Sequence, residues 1–158
     1  MHIEPLSTEL IERYLDLRGL RFYRGRDGRE FLVLFSTDHG QLQVGLRVGG
    51  PGRDVLVVRV SPAAHYVAAD RPRLMELVND WNRDTHWPKA FVRETSDPGR
   101  VGVVGENSYP LTGGVHFEAL ATFIDYTIRC ATELFDKIAR SINVPSVQTL
   151  EAWLRQAG

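Results

Sequence analysis

The chain has 158 residues, 43% of them hydrophobic and 25% charged, with a formal net charge of −1. These totals describe one globular domain, exclude extensive disorder and give no sign of a polyanionic partner. Its apolar runs are too short to span a membrane, and its N-terminus lacks the pattern of a secretory signal, so we expect a cytoplasmic protein. The single cysteine, Cys130, excludes an internal disulfide and a cysteine-based zinc site.

The first part of the sequence predicts one helix followed by four strands. Ser7 is suited to cap a helix over residues 7–18, and Gly19 ends it. The strands are predicted over residues 20–25, 31–35, 42–48 and 55–60. The turns between them are short, which makes neighbouring strands antiparallel. The unbroken apolar run at 31–35 predicts cover on both faces of that strand, whereas the alternation at 42–48 predicts one exposed face.

The second part predicts a helix, two strands and a long helix. Asp70 is suited to cap the helix, with Pro72 in its first turn. The buried face of this helix is predicted to comprise Leu74, Leu77, Val78 and Trp81. Strands follow over residues 89–95 and 100–106. The long helix carries apolar residues at spacings of four and three from Phe117 to Ile142, which predicts either a helix lying on a sheet, the interpretation we favour, or a coiled coil.

The element order is α-ββββ-α-ββ-α plus a C-terminal tail helix, which indicates the α+β class with an antiparallel sheet of about five or six strands packed by helices. We assign residues 1–142 to a single domain and residues 143–158 to the tail, whose apolar residues are Val147, Leu150, Trp153 and Leu154. The tail could dock on its own chain or on a second subunit, or it could fray. The apolar surface of the long helix and the tail leads us to expect a homodimer.

The densest polar cluster lies at residues 80–87, between the second helix and the following strand. Asn82 is expected to end the helix in the left-handed conformation, and Trp87-Pro88 to begin the strand. This structural role is the one we favour. Two alternatives remain: an enzyme or small-ligand site in which Asp84 and His86 act as acid and base, or a protein-binding surface whose candidate contacts are Arg83, Asp84, His86 and Trp87.

The other patterns in the sequence give little indication of a chemical function. The five histidines have no spacing that would form a helical metal pair, and the glycine clusters match no nucleotide-binding motif. We therefore predict no catalytic residue, no cofactor and no metal, and we interpret Cys130 as a small buried hydrophobe. A basic cluster at residues 18–29, with candidate contacts Arg21, Arg24, Arg26 and Arg29, could hold phosphates. A solvated sheet edge explains the same cluster, and we favour it over nucleic-acid binding.

Four features together resemble the bacterial YbjN-domain family: LVNDWN at 77–82, PKAFV at 88–92, GGV at 113–115 and the long helix through Phe135. The order of elements over residues 6–142 is also similar. The resemblance implies a fold like that of the type III secretion chaperones, often dimeric, and a role in regulating sensory transduction. It attaches no catalytic residues.

From the missing chemistry and this resemblance we expect a non-enzymatic protein-binding module, chaperone-like or regulatory, whose partner the sequence does not identify. The alternatives are a small-ligand or enzyme site at residues 80–87 and nucleic-acid binding through the arginine-rich hairpin. The sequence gives no sign of a membrane contact.

Overall fold

The computed structural model describes residues 2–142, which form three helices and an antiparallel sheet. The helices are α1 (Thr8–Leu17), α2 (Arg71–Asp84) and α3 (Phe117–Ser141). The strands are β1 (Ile3–Glu4), β2 (Tyr23–Arg24), β3 (Glu30–Thr37), β4 (Gly40–Gly49), β5 (Val55–Pro62), β6 (Tyr66–Val67), β7 (Lys89–Glu94), β8 (Arg100–Pro110) and β9 (Val115–His116). The α+β class, the antiparallel pairing and the order of the main elements are confirmed. The predicted tail helix lies outside the described residues.

The main sheet has seven strands within the described part of the chain, slightly more than predicted. Its order is β2-β3-β4-β5-β8, and β7 pairs with the other edge of β8. The two-residue strand β6 adds to the start of β8. A separate ladder joins β1 to β9, which ties the N-terminal residues to the start of α3. Every pairing is antiparallel, as the short turns require.

The three helices cover one face of this sheet. In α1, the Ser7 hydroxyl accepts a hydrogen bond from the Leu10 amide at 3.1 Å, which is the predicted N-cap. The apolar stripe of α3 is buried on the sheet, where its members are Leu120, Ile124, Ala131, Leu134 and Ile138. The long helix therefore lies on a sheet, as we favoured, and its main stripe is not left free to form a coiled coil.

The prediction that β3 is covered on both faces is wrong. Phe31 and Val33 point into the core, whereas Leu34 is 42% exposed on the opposite side. Because the helices lie on one face only, alternate residues of β3 meet solvent. An unbroken apolar run therefore does not by itself establish a second covering layer.

Asp70 is the N-cap residue of α2, as predicted, but its side chain makes no capping hydrogen bond. A short 3-10 turn, Ala68–Asp70, leads directly into the helix, so the backbone of Asp70 is already helical, with φ −84° and ψ −2°. A capping side chain requires an extended backbone at that position. Among the described residues, the Asp70 side chain therefore accepts no bond from the first turn, although Pro72 does lie there as expected.

The helix-free face of the sheet carries a polar network at its centre. The Glu106 side chain is only 10% exposed, and its carboxylate accepts a bond from Arg59 Nε at 2.7 Å. Lys89 Nζ lies 3.4 Å from the other carboxylate oxygen. These two cations compensate a carboxylate that burial alone would destabilise. Two residues along β8 from Glu106, Val104 pairs with Phe91 of β7 and is 1% exposed.

Candidate functional site

Helix α2 and strand β7 meet at a junction that Trp81 fixes to α3. The Trp81 ring is 5% exposed, and its Nε1 donates a hydrogen bond to the Pro88 carbonyl oxygen at 2.8 Å. The Lys137 ammonium of α3 lies 5.3 Å from the centre of the indole ring, within reach of a cation–π attraction. The predicted buried helix face of Leu74, Val78 and Trp81 is confirmed, while Leu77 is partly buried. Trp81 therefore holds the end of α2 against the start of β7 and against α3.

Asn82 does not end the helix. Its side-chain Nδ2 donates to the Ala90 carbonyl oxygen at 2.9 Å, and its Oδ1 accepts from the Ala90 amide at 2.9 Å. Helix α2 instead ends at Thr85, where the backbone is extended and both the amide and the hydroxyl donate to the Trp81 carbonyl oxygen. The predicted left-handed stop at Asn82 is wrong because the side chain is engaged by β7 and the helix continues past it.

Arg83 and Asp84 form a mutual ion pair on the surface of the junction. Arg83 Nε and Nη2 donate to the two carboxylate oxygens of Asp84 at 2.9 and 3.1 Å, and Arg83 Nη1 lies 3.3 Å from Asp80 Oδ1. The hydrogen bond from Arg83 lowers the pKa of Asp84. A carboxylate with a lowered pKa is a poor proton acceptor. Within residues 2–142, Asp84 pairs with this arginine and not with His86.

His86 and Trp87 extend from the junction towards α3. The Trp87 ring is 43% exposed and meets Tyr126, which is 37% exposed, at 5.5 Å between ring centres and 70° between planes. The His86 ring lies 5.9 Å from Trp87, and the Arg129 guanidinium lies 4.9 Å from the Tyr126 ring centre. We call these four residues the Trp87–Tyr126 surface. Sequence reasoning missed Tyr126 and Arg129, whose only signal is their position beside the apolar stripe of α3.

Cys130 lies behind this surface and is chemically quiet. Burial raises the pKa of its thiol, and the nearby Glu133 carboxylate adds to the rise. Because the thiolate is the reactive form, a raised pKa argues against a nucleophile. The side chain is only partly buried, whereas we expected a buried residue.

The predicted basic cluster does not act as one unit, because one of its arginines is engaged by helix α1. Arg24 pairs with Glu12 of α1 at 2.5 Å and lies 5.4 Å from the Phe31 ring centre, so it serves to hold helix and sheet together. Arg21, Arg26 and Arg29 are exposed on and around the hairpin. Asp27 Oδ1 accepts the Arg29 amide at 3.0 Å, which shapes the turn. Three cations therefore remain at the surface.

A groove of about 590 Å³ lies between the C-terminal half of α3 and the β3–β4 and β5–β6 loops. Its apolar lining includes Leu42, Pro62, Tyr66, Phe135 and Ala139. Its polar rim includes a hydrogen bond of 2.8 Å between His39 Nε2 and Asp136 Oδ1. Arg140 also binds Asp136. Burial raises the pKa of Tyr66 to about 12. The groove could not be predicted from the sequence, because its walls come from three distant segments, at residues 37–42, 62–66 and 132–139.

Across residues 2–142, no three histidine, cysteine or acidic side chains are arranged to hold a metal ion. No helix in the same part of the chain is long and apolar enough to cross a membrane.

An antiparallel sheet with three helices on one face places the described residues in the α+β class. The family model described as "Putative bacterial sensory transduction regulator" matches residues 7–140. The chain belongs to the YbjN family. No protein of curated function matches it.

Two solved structures share the fold. The crystal structure of Escherichia coli YbjN, described as a putative transcription regulator, has a TM-score of 0.71 and 13% identity, covering 89% of this chain and 95% of its own. An uncharacterized protein from Methanothermobacter thermautotrophicus has a TM-score of 0.54 and 13% identity, covering 86% of this chain and 99% of its own. At such low identity, both comparisons establish the fold alone.

Proposed function

We propose that the protein is a non-enzymatic cytoplasmic regulator that acts by binding another protein through the Trp87–Tyr126 surface. The observation that supports this proposal is the 43% exposure of Trp87. Tryptophan, tyrosine and arginine are the residues that most often dominate the binding energy of protein interfaces. All three occur together here, in contact with one another.

The surface is also preorganised. The bond from Trp81 to the Pro88 carbonyl and the two bonds between Asn82 and Ala90 hold the backbone after Trp87. The Thr85 amide, which donates to the Trp81 carbonyl oxygen, holds the backbone before it. A partner would therefore pay little conformational entropy to immobilise the loop. The side chains that are already in contact, Trp87 and Tyr126, would lose fewer rotamers on binding than isolated exposed rings.

The charged rim fits the same role. Arg83 is shared between Asp80 and Asp84, all of them exposed at the edge of the junction. A rim of this kind affects the association rate and the choice of partner more than the affinity. We therefore propose Arg83, Asp84 and His86 as peripheral contacts and Trp87 as the central one.

The absence of an identifiable reaction centre in residues 2–142 supports the non-enzymatic part of the proposal. Asp84 is paired with Arg83, His86 has an aromatic neighbour, and the thiol of Cys130 has a raised pKa. An active site would bring a base to a nucleophile and an oxyanion donor. The junction offers none of these in combination.

Affinity capture from the source organism tests the proposal. Wild-type protein, Trp87→Ala and Tyr23→Ala are used as baits, and captured proteins are identified by mass spectrometry. Tyr23 is the matched control because it is an aromatic residue, 57% exposed, on the distant edge strand β2. We expect one reproducible partner with wild type and Tyr23→Ala and its loss with Trp87→Ala. No reproducible partner, or equal capture by all three baits, would contradict the proposal.

Nucleic-acid binding is a second candidate because Arg21, Arg26 and Arg29 are exposed together near the β2–β3 hairpin. The description of E. coli YbjN as a transcription regulator points the same way. Phosphate contacts by these arginines would give a mobility shift with DNA or RNA that weakens steeply as salt rises. A shift that is absent or independent of salt excludes this candidate.

A further inference from the structure

We propose that the groove beside α3 is a binding site for a small organic cation, a compact apolar body that carries a protonated amine. This site is separate from the Trp87–Tyr126 surface. None of the four residues that form that surface lines the groove. The inference thus goes beyond the proposed function and does not depend on it.

The size and lining of the groove fit a small molecule. Its volume of about 590 Å³ lies inside the roughly 300–1,000 Å³ range of small-molecule sites. Leu42 and Phe135 supply an apolar floor that is already buried, at 5% and 6% exposure. Such sites combine apolar walls with a few polar groups that fix the orientation of the ligand. The groove has this composition.

The charges at the rim of the groove favour a cationic ligand. The carboxylates of Asp38 and Glu133 line the groove, and within residues 2–142 neither has a basic side chain within ion-pair distance. Asp136, by contrast, is paired with both His39 and Arg140. Two carboxylates are therefore left to attract a positive charge, and an anionic ligand would be repelled.

The aromatic rings that line the groove also favour a cationic ligand. Tyr66, Phe135 and the imidazole of His65 line the groove. Ring faces attract ammonium groups, and sites for quaternary or methylated ammonium ligands are built from such rings. The ligand is organic and not a bare metal ion, because the imidazoles and carboxylates described here are too dispersed to coordinate one.

Nuclear magnetic resonance titration of the full-length chain tests the inference with three probes on one skeleton: benzylamine, benzyl alcohol and benzoate at pH 7. We expect benzylamine to shift the backbone amides of residues 37–42, 62–66 and 132–139 in a saturable way. Its Kd should be at least about fivefold below that of benzyl alcohol, from the added cation–π and carboxylate attraction, and benzoate should give no saturable shift. Equal binding of amine and alcohol, shifts outside the groove, or no saturable shift would overturn the inference.

Three substitutions in the groove and one control substitution test the site further. Glu133→Gln and Asp38→Asn remove one carboxylate each from exposed positions and should weaken benzylamine binding, whereas Glu94→Gln, on β7, should leave it unchanged. Ala139→Phe should fill the groove and abolish the saturable shifts, with the rest of the spectrum showing that the chain remains folded. Benzylamine binding that survives in Ala139→Phe would contradict the assignment.

Discussion

Asn82 joins helix α2 to strand β7 through both ends of its side-chain amide, which makes it the main polar link of the junction. Trp81, one residue earlier, supplies the apolar link and a third hydrogen bond to the same segment. Trp87 then stands at the surface on a backbone that is fixed from both directions. At the scale of single residues, the junction is thus a support for an exposed aromatic side chain.

We expect Asn82→Ala to lower the free energy of unfolding by about 1–2 kcal/mol, since it removes two hydrogen bonds to the Ala90 backbone at a partly buried site. Asn79→Ala is the matched control, because Asn79 is an exposed asparagine on the same helix. Urea unfolding of both variants measures the difference. Equal stabilities of the two variants would show that the Asn82 bonds contribute nothing.

The thiol of Cys130 should react slowly. Its raised pKa reduces the thiolate fraction, so alkylation by iodoacetamide at pH 8 should be at least about tenfold slower in the folded than in the unfolded protein. The single cysteine makes the modified mass unambiguous. Rates that match between folded and unfolded protein would contradict the burial of this site.

Because of Tyr66, the free energy of unfolding should depend on pH in the alkaline range. Burial raises its pKa from 10.0 to about 12, so the folded state holds the phenolic proton more tightly than the unfolded state. This contribution is complete below pH 10 and is lost as the pH rises towards about 12, a change of order 3 kcal/mol. In Tyr66→Phe, the fall in unfolding free energy over this range should be smaller. If the unfolding free energy of Tyr66→Phe fell as steeply with pH as that of wild type, the effect would not come from Tyr66. Tyr14, whose pKa is also raised by burial, would then account for it.

At the scale of elements, α3 organises the molecule. Its central stripe covers the sheet, one flank contacts the junction, and the other forms a wall of the groove. Close approach of α3 to the sheet depends on Gly105 of β8. A Cβ placed there would lie 3.2 Å from Pro88 Cγ and 3.4 Å from Leu134 Cδ2. The glycine thus lets strand, junction and helix meet.

We therefore expect Gly105→Val to destabilise the protein by about 1–3 kcal/mol through overpacking. Gly113→Ala serves as the control, because a Cβ there meets nothing within 4 Å. Thermal unfolding of the two variants tests this. A Gly105→Val protein as stable as Gly113→Ala would mean that α3 does not press on β8 at this point.

Several elements could be predicted from sequence because their signal is local. The cap at Ser7, the alternation in β4 and the stripe of α3 follow from periods that a single segment carries. The two-residue strands β1, β6 and β9 could not be predicted, because each is defined by its partner and not by its own residues. The unpredicted contact of Trp87 with Tyr126 has the same cause, since it joins distant parts of the chain.

At the scale of the whole molecule, the helix-free sheet face is a candidate contact between copies of the chain. Leu34 of β3 is exposed on it, at 42%. The stripe of α3, which first suggested a homodimer, is buried within the chain, so the sheet face is the stronger candidate.

Light scattering tests the homodimer, and we expect twice the 17.9 kDa mass of one chain. Leu34→Asp should shift the mass towards one chain. Leu17→Asp, which changes an exposed leucine on α1, should not. A wild-type mass near that of one chain would contradict the homodimer.

Trp87 is the proposed anchor of a protein interface, and calorimetry with the purified captured partner tests this most directly. The titration compares wild type, Trp87→Ala and Tyr23→Ala at one protein concentration and salt. We predict that Trp87→Ala weakens the Kd at least about tenfold, or roughly 1.4 kcal/mol, while Tyr23→Ala changes it less than about twofold. An unchanged Kd for Trp87→Ala would contradict the account.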